Sequence, residues 1–273
     1  MAQLIDGKLI SQQIKDELKE EVAQFKAEGI DICLAVIQVG SDPASSVYVR
    51  NKKKACARSY ELPEETSEEE LIKLVEELNA DESVNGILVQ LPVPDHIDED
   101  KIIRTISPDK DVDGFHPVSV GRLWIGEKGF LSCTPAGIIQ LLKRSNVSIE
   151  GKECVIIGRS NIVGKPMAAL LLRENGTVTV AHSRTKDLKE VAKRADILIV
   201  AIGKERFITS EYIKEGAVVI DVGMHRDEAN HLCGDVDFAD VEPHSSAITP
   251  VPGGVGPMTI AMLMNNCVET VRK

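Results

Sequence analysis

Tyr48 and Lys52 stand four residues apart within residues 44–56, a stretch that predicts a helix, so the phenol and the amine share one face. A lysine beside a phenol can accept a proton, donate one, or act as a fixed cation. Free lysine titrates near ~10.4, so a base role needs burial or neighbouring cations to lower it. Lys53 and Lys54 follow in sequence but face elsewhere on the helix. On these residues alone, an amphipathic surface pair is the commoner reading. Gln90 lies in the apolar run Gly86-Ile-Leu-Val-Gln-Leu91, at what would be the carboxyl end of a parallel strand, where open α/β sheets meet ligands. Asp111 and Asp113 fall in a loop over residues 107–117, a usual place for substrate contacts. A carboxylate there suits a two-donor ring edge such as an aminopyrimidine. The plain alternative for Gln90 and the aspartates is capping and turn chemistry.

A second constellation concerns a nucleotide. Cys154-Val-Ile-Ile157 predicts a short buried strand that breaks at Gly158, and a helix starts near Gly164-Lys165-Pro166. Strand, glycine turn and helix N-terminus together present N–H groups and a positive dipole end to a phosphate. An ATP or GTP loop is excluded: five residues separate Gly158 from Gly164, and Pro166 stands where a Mg²⁺-binding hydroxyl belongs. The usual Gly-x-Gly-x-x-Gly turn has Ser160 for its second glycine, a residue small enough to leave a variant dinucleotide turn. The next strand, residues 177–181, ends in His182-Ser183-Arg184-Thr185. An NAD site carries a carboxylate at that point for the ribose 2′-OH. A hydroxyl and a guanidinium suit a 2′-phosphate instead, so NADP is the expected cofactor, with Gly158, Ser160, Gly164, Ser183 and Arg184 around it.

These residues need a frame. At 273 residues, two domains are expected. Helix 8–28, strand 32–39, helix 44–56, a helix opened by the capping box Ser67-Glu-Glu-Glu70, and strand 86–91 make an N-terminal α/β domain. Thr134-Pro135 predicts the start of a helix to 146. Strands 154–157, 177–181, 197–201 and 217–222 alternate with helices 165–174, 187–194 and 210–214, the pattern of a doubly wound dinucleotide domain. A Gly/Pro stretch at 249–257 leads into a last helix to about 271. The fold class is therefore α/β with two domains. The division falls at residues 1–119 for the substrate domain, with helix 257–273 packing back, and 120–256 for the Rossmann-type domain. The active site is expected in the cleft between the two.

Composition removes other classes. With 32 basic and 43 acidic residues, the net charge is −11, which argues against a nucleic-acid or anionic-membrane surface. No apolar run approaches the ~20 residues of a membrane span, and the first residues lack the pattern of a signal peptide. Six scattered cysteines without Cys-x-x-Cys suggest a reducing cytosol. His225, His231 and Cys233 match no zinc spacing and read as a polar hairpin, so no metal is expected.

Five blocks in order, residues 39–55, 86–92, Lys110-Asp-Val-Asp-Gly114, 158–166 and 249–259, resemble the bifunctional methylenetetrahydrofolate dehydrogenase/methenyltetrahydrofolate cyclohydrolase family over nearly the whole chain. The resemblance implies NADP-dependent oxidation of 5,10-methylenetetrahydrofolate and hydrolysis of the methenyl product to 10-formyltetrahydrofolate, by a cytoplasmic homodimer. It further implies Lys52 as catalytic lysine, Tyr48 as active-site tyrosine, Gln90 beside the lysine, Asp113 on the pterin and Ser45 near the substrate. Arg159, Ser160 and Ser183 match cofactor contacts, and Pro252, Gly253 and Gly254 a loop near nicotinamide and folate. One departure stands out: residues 57–62 are about eight shorter than the family's loop logic suggests. The competing readings are a two-domain dehydrogenase of another substrate, such as a shikimate-type enzyme, and a nucleotide sensor that only binds.

Overall fold

The structure is a computed structural model that describes residues 2–40 and 58–272. The expected helix at 44–56, and with it Ser45, Tyr48 and Lys52, lies outside the described residues. Eleven strands are assigned among the described residues: β1 (Gln3–Leu4), β2 (Leu34–Val39), β3 (Arg58–Leu62), β4 (Gly86–Val89), β5 (Glu153–Ile157), β6 (Thr177–Ala181), β7 (Ile197–Val200), β8 (Ala217–Asp221), β9 (His225–Arg226), β10 (Leu232–Cys233) and β11 (Ser245–Ile248). The chain forms two compact units, Met1–Gln13 with Ser132–Ala261, and Ile14–Leu131 with Met262–Lys273. Among the described residues no helix is long and apolar enough to cross a membrane.

In the second of these units, β3, β2 and β4 form a parallel sheet in that order. Strand β2 is central and buried except at Gln38, so it reads as a continuous apolar run, as strands covered on both faces do. Helix Glu68–Ala80 packs Leu71, Val75 and Leu78 against Ala35, Ile37, Ile87 and Val89. Its capping box is complete: the Ser67 hydroxyl accepts from Glu70 N–H and the Glu70 carboxylate from Ser67 N–H. Strand β3 was not expected. Among the described residues it is an edge strand, Arg-Ser-Tyr-Glu-Leu. Only Tyr60 and Leu62 lean on the core, which leaves too short an apolar signal to read.

In the other unit the strand order is β1-β11-β8-β7-β5-β6, all parallel. From β5 the chain moves to β6 on one side, then crosses to β7 on the other. That reversal is the topological switch point of a doubly wound sheet. The core is aliphatic, with Val155, Ile157, Leu198, Val200, Val219 and Ile248 buried together. The units differ from the division drawn on the sequence. Residues 3–4 belong to the large sheet, with Leu4 registered on Ile248, and the unit takes in residues 132–261 rather than 120–256. A two-residue strand carries no periodicity by which to assign it. Helix Cys133–Arg144 starts two residues earlier than Thr134-Pro135 suggested, with Ser132 at its cap position. The Thr134 hydroxyl pairs instead with that of Thr259 at 2.9 Å. Residues 225–226 and 232–233 form the antiparallel hairpin expected there.

Candidate active site

At the carboxyl end of β5 the chain turns at Gly158 with φ +139°, a conformation that side chains oppose. Space forbids them as well: a Cβ would stand 2.2 Å from the carbonyl oxygen of Ala201. Gly164 opens helix Gly164–Arg173, and a Cβ there would come within 2.3 Å of the Gly158 oxygen. This is the close packing of helix on turn that the last glycine of a dinucleotide fingerprint provides. Ser160 has its own task. Its Oγ accepts from the N–H of Val163 at 3.1 Å and of Gly164 at 3.4 Å, while its carbonyl takes the N–H of Lys165. The first N–H groups of the helix therefore already have acceptors within the chain, all on Ser160.

The Gly158 N–H donates to Ala181 O at 2.9 Å, which sets this turn beside the end of β6. There the side chains of His182 and Thr185 shape a turn: His182 N–H donates to Thr185 Oγ1, and Arg184 N–H to His182 Nδ1. Ser183 and Arg184 are exposed, as are Arg159 and Ser160. Arg159 and Ser160 thus follow β5, and Ser183 and Arg184 follow β6, on two adjacent strand ends. Among the described residues neither guanidinium has a carboxylate within 4.0 Å. Two cations without carboxylate partners and a hydroxyl fit a ribose 2′-phosphate.

The loop after β11 is built from backbone contacts. Gly253 has φ +111° and its carbonyl accepts from Lys8 N–H at 3.0 Å. A Cβ on Gly254 would meet Pro250 O at 2.6 Å, and one on Gly7 would overlap Gly254 O at 1.8 Å. The missing side chains at Gly253 and Gly254 therefore serve internal packing first.

In the other unit, Gln90 follows β4 at its carboxyl end. Its N–H donates to Ile37 O and its Nε2 to Leu91 O at 2.6 Å. The three polar residues of Lys110-Asp-Val-Asp-Gly114 divide their work. Lys110 Nζ binds the carbonyls of Leu78, Asn79 and Asp81, closing helix Glu68–Ala80. Asp111 is buried and accepts from Phe115 N–H, His116 N–H and Ser119 Oγ at 3.2, 2.9 and 2.7 Å. Burial pushes its carboxyl up to about 6, against the pull of those hydrogen bonds. Asp113 is half-buried and lines a cavity of ≈ 10 Å³ with Val89, Leu91 and Phe115. Asp113 and the strand end that carries Gln90 are thus neighbours.

A larger cavity, ≈ 430 Å³, opens at the opposite, amino ends of the large sheet beside Gln3, Lys152, Asp196 and Lys214, and its lining includes none of the candidate site residues read from the sequence. Among the described residues no cluster of His, Cys, Asp or Glu could hold a metal ion. His225 pairs with Asp235 and His231 with Asp227.

Comparison with known proteins identifies the family. Residues 5–113 match the catalytic-domain model of tetrahydrofolate dehydrogenase/cyclohydrolase, and residues 132–273 match its NAD(P)-binding-domain model. The bifunctional protein FolD of Agathobacter rectalis is 71% identical over 279 residues, covering 100% of both chains. Because 279 aligned positions exceed the 273 residues of this chain, the chain carries gaps relative to that protein. The crystal structure of the bifunctional FolD enzyme of Campylobacter jejuni is similar at a TM-score of 0.96 and 52% identity, covering 99% of this chain and 98% of that one. The Trypanosoma brucei methylenetetrahydrofolate dehydrogenase-cyclohydrolase, solved with NADP and an inhibitor, is similar at 0.93 and 40% identity, covering 98% and 97%.

Proposed function

The chain belongs to the tetrahydrofolate dehydrogenase/cyclohydrolase family, and we propose that it performs both reactions joined in that name. It oxidises 5,10-methylenetetrahydrofolate to the methenyl form and hydrolyses the latter to 10-formyltetrahydrofolate. Membership sets aside the shikimate-type and binding-only readings. The observation that carries the cofactor is the pairing of the Gly158 turn with the Ser183-Arg184 strand end, where an NAD site would hold a carboxylate. Bound NADP⁺ supplies the hydride acceptor. Arg159, Ser183 and Arg184 hold its 2′-phosphate, Gly158, Ser160 and Gly164 form the turn under its pyrophosphate, and Pro252, Gly253 and Gly254 border the nicotinamide and folate.

On the folate side, Asp113 binds the two-donor edge of the pterin ring, and Ser45 and Tyr48 contact the substrate. Hydride loss needs no acid or base, so for that step the protein's share is placement of the one-carbon unit. Hydrolysis differs. Water adds to the methenyl carbon, and the adduct must lose a proton before the ring opens. Lys52 handles that proton, and Gln90, at the end of β4, steadies its amine. Such general acid–base help is typically worth about 10²–10⁴-fold. A cytoplasmic homodimer is part of the same proposal. Five described cysteines, Cys33, Cys133, Cys154, Cys233 and Cys267, are buried and form no disulfide among the described residues, which suits a reducing compartment.

The test is direct. With NADP⁺ and 5,10-methylenetetrahydrofolate, methenyl absorbance should rise and then decay to the formyl product. No rise with folate would defeat the dehydrogenase reading, and a rise without accelerated decay would defeat the cyclohydrolase reading.

A further inference from the structure

Between the turn after β5 and the glycine loop after β11, the carboxyl edge of the large sheet consists of the ends of β7 and β8. Those turns are three strand spacings apart, roughly 14 Å at about 4.8 Å each. A ligand that touches both must lie across β7 and β8. The loops there are held by two buried carboxylates that no motif singled out. Asp235 is fully buried. Its Oδ2 accepts from the N–H of Ile202 at 2.7 Å and of Gly203 at 3.1 Å, and its Oδ1 from the N–H of Lys204 at 2.8 Å. Three successive N–H groups converging on one point form an anion-binding nest, and here the anion is part of the chain.

The same Oδ1 lies 2.7 Å from His225 Nε2, tying in the loop after β8. Asp221, at the end of β8, in turn holds Asp235. Its carboxylate accepts from the N–H of Asp235, Val236 and Gly223 at 3.0, 3.0 and 2.9 Å. Gly223 and Gly234 leave no room for a side chain against these carboxylates. The link reaches the phosphate turn. In a trans peptide the carbonyl opposes the N–H, so the grip on Ile202 N–H sets the Ala201 oxygen on the other side. That oxygen is the atom a Cβ at Gly158 would strike.

We propose that Asp235 is the positioning residue of the dinucleotide site, fixing the loops after β7 and β8, and through Ala201 the Gly158 turn, before the cofactor arrives. This rests on the NADP reading given above. Calorimetric titration with NADP⁺ tests both, and they are separable. If the unsubstituted chain does not bind NADP⁺, the cofactor reading fails. If it binds, Asp235→Asn decides the role of Asp235. Asparagine keeps the shape but turns an NH₂ group against backbone donors. NADP⁺ affinity should fall about 10–100-fold while the KM for the folate substrate moves less than about threefold. Hydrogen exchange of amides 202–204, measured without NADP⁺, should quicken while amides 155–157 stay protected. Should Asp235→Asn not fold, His225 carries the test. His225→Gln, which can still donate to Asp235, should bind NADP⁺ within about threefold of the parent, and His225→Leu about tenfold more weakly. Unchanged NADP⁺ affinity in both Asp235→Asn and His225→Leu would overturn the proposal. So would equal losses for NADP⁺ and folate, which would mark a general stabilising role.

Discussion

Replacing Gly164 by alanine tests whether the helix and the phosphate turn must touch. The added Cβ would stand 2.3 Å from Gly158 O, 2.6 Å from Gly158 C and 2.8 Å from Arg159 Cα. All three are backbone atoms, so no rotamer relieves the overlap. Ordinary contact begins near 3.4 Å, and helix start and turn must therefore part by about 1 Å. Overpacking of this kind costs about 1–3 kcal/mol. Alanine's helical preference over glycine returns at most about 1 kcal/mol, so the net loss should reach up to about 2 kcal/mol. The functional cost should be larger, because a displacement of about 1 Å in a positioned site can lose about 10²-fold. NADP⁺ affinity should fall about 10–100-fold, with the KM for folate nearly unchanged. Gly121→Ala is the control. Gly121 sits inside helix Pro117–Ile125 with nothing within 4 Å of a new Cβ, so it should stabilise by about 0.5–1 kcal/mol. Urea unfolding and calorimetric titration read both variants. If Gly164→Ala unfolds at the parent's midpoint and binds NADP⁺ as tightly, the close approach is not what the turn requires.

Ser183→Asp should repel the 2′-phosphate and move the NADP/NAD preference towards NAD by about 10–100-fold; an unchanged ratio of kcat/KM values would remove Ser183 from the site. Lys52→Met should abolish cyclohydrolase activity and leave part of the hydride transfer, because proton handling belongs to hydrolysis. Equal loss of both would make Lys52 a residue that positions substrate for either step. Asp111 supplies a pH prediction. Its carboxyl is held near about 6 in the fold, above the ~4 of an unfolded chain, so the native state binds the extra proton between those values. This group therefore costs stability above about pH 6 and ceases to cost it as pH falls towards 4, with a slope of at most about 1.4 kcal/mol per pH unit. Asp111→Asn should remove that share of the slope in urea midpoints measured from pH 4 to 7, and an unaltered slope would refute the assignment.

The parallel strands were readable because burial on both faces leaves continuous β-branched runs, as in Ile197-Leu-Ile-Val200. The capping box at Ser67 was readable because its chemistry is local. Tertiary decisions were not. Strand β1 is two residues long and exists through pairing with β11, 241 or more residues away. Strand β3 is an edge whose sequence carries two apolar side chains. Asp221, the last residue of β8, and Asp235, in a Gly-Asp-Val stretch, carry no local mark of a special role. Their importance comes from donors supplied by residues 202–204, 223, 225 and 235–236, and no local spacing announces such a convergence.

The glycines and Ser160 show the same limit from the other side. Gly158 and Gly164 were singled out for ending a strand and opening a helix beside a phosphate, Ser160 for its small size, and Gly254 through the family resemblance. Each also has a reason inside the chain. Gly158 faces Ala201 O, Gly164 faces Gly158 O, and Gly254 faces Pro250 O. Ser160 caps the N–H groups of Val163 and Gly164. Internal reasons do not remove these residues from a ligand site. They give the turns one conformation that needs no ligand to form, so little ordering cost remains to be met on binding. A turn that waited for its cofactor could tolerate an extra methyl group in the free protein. This one should not, and the stability loss expected of Gly164→Ala without NADP⁺ is what separates the two cases.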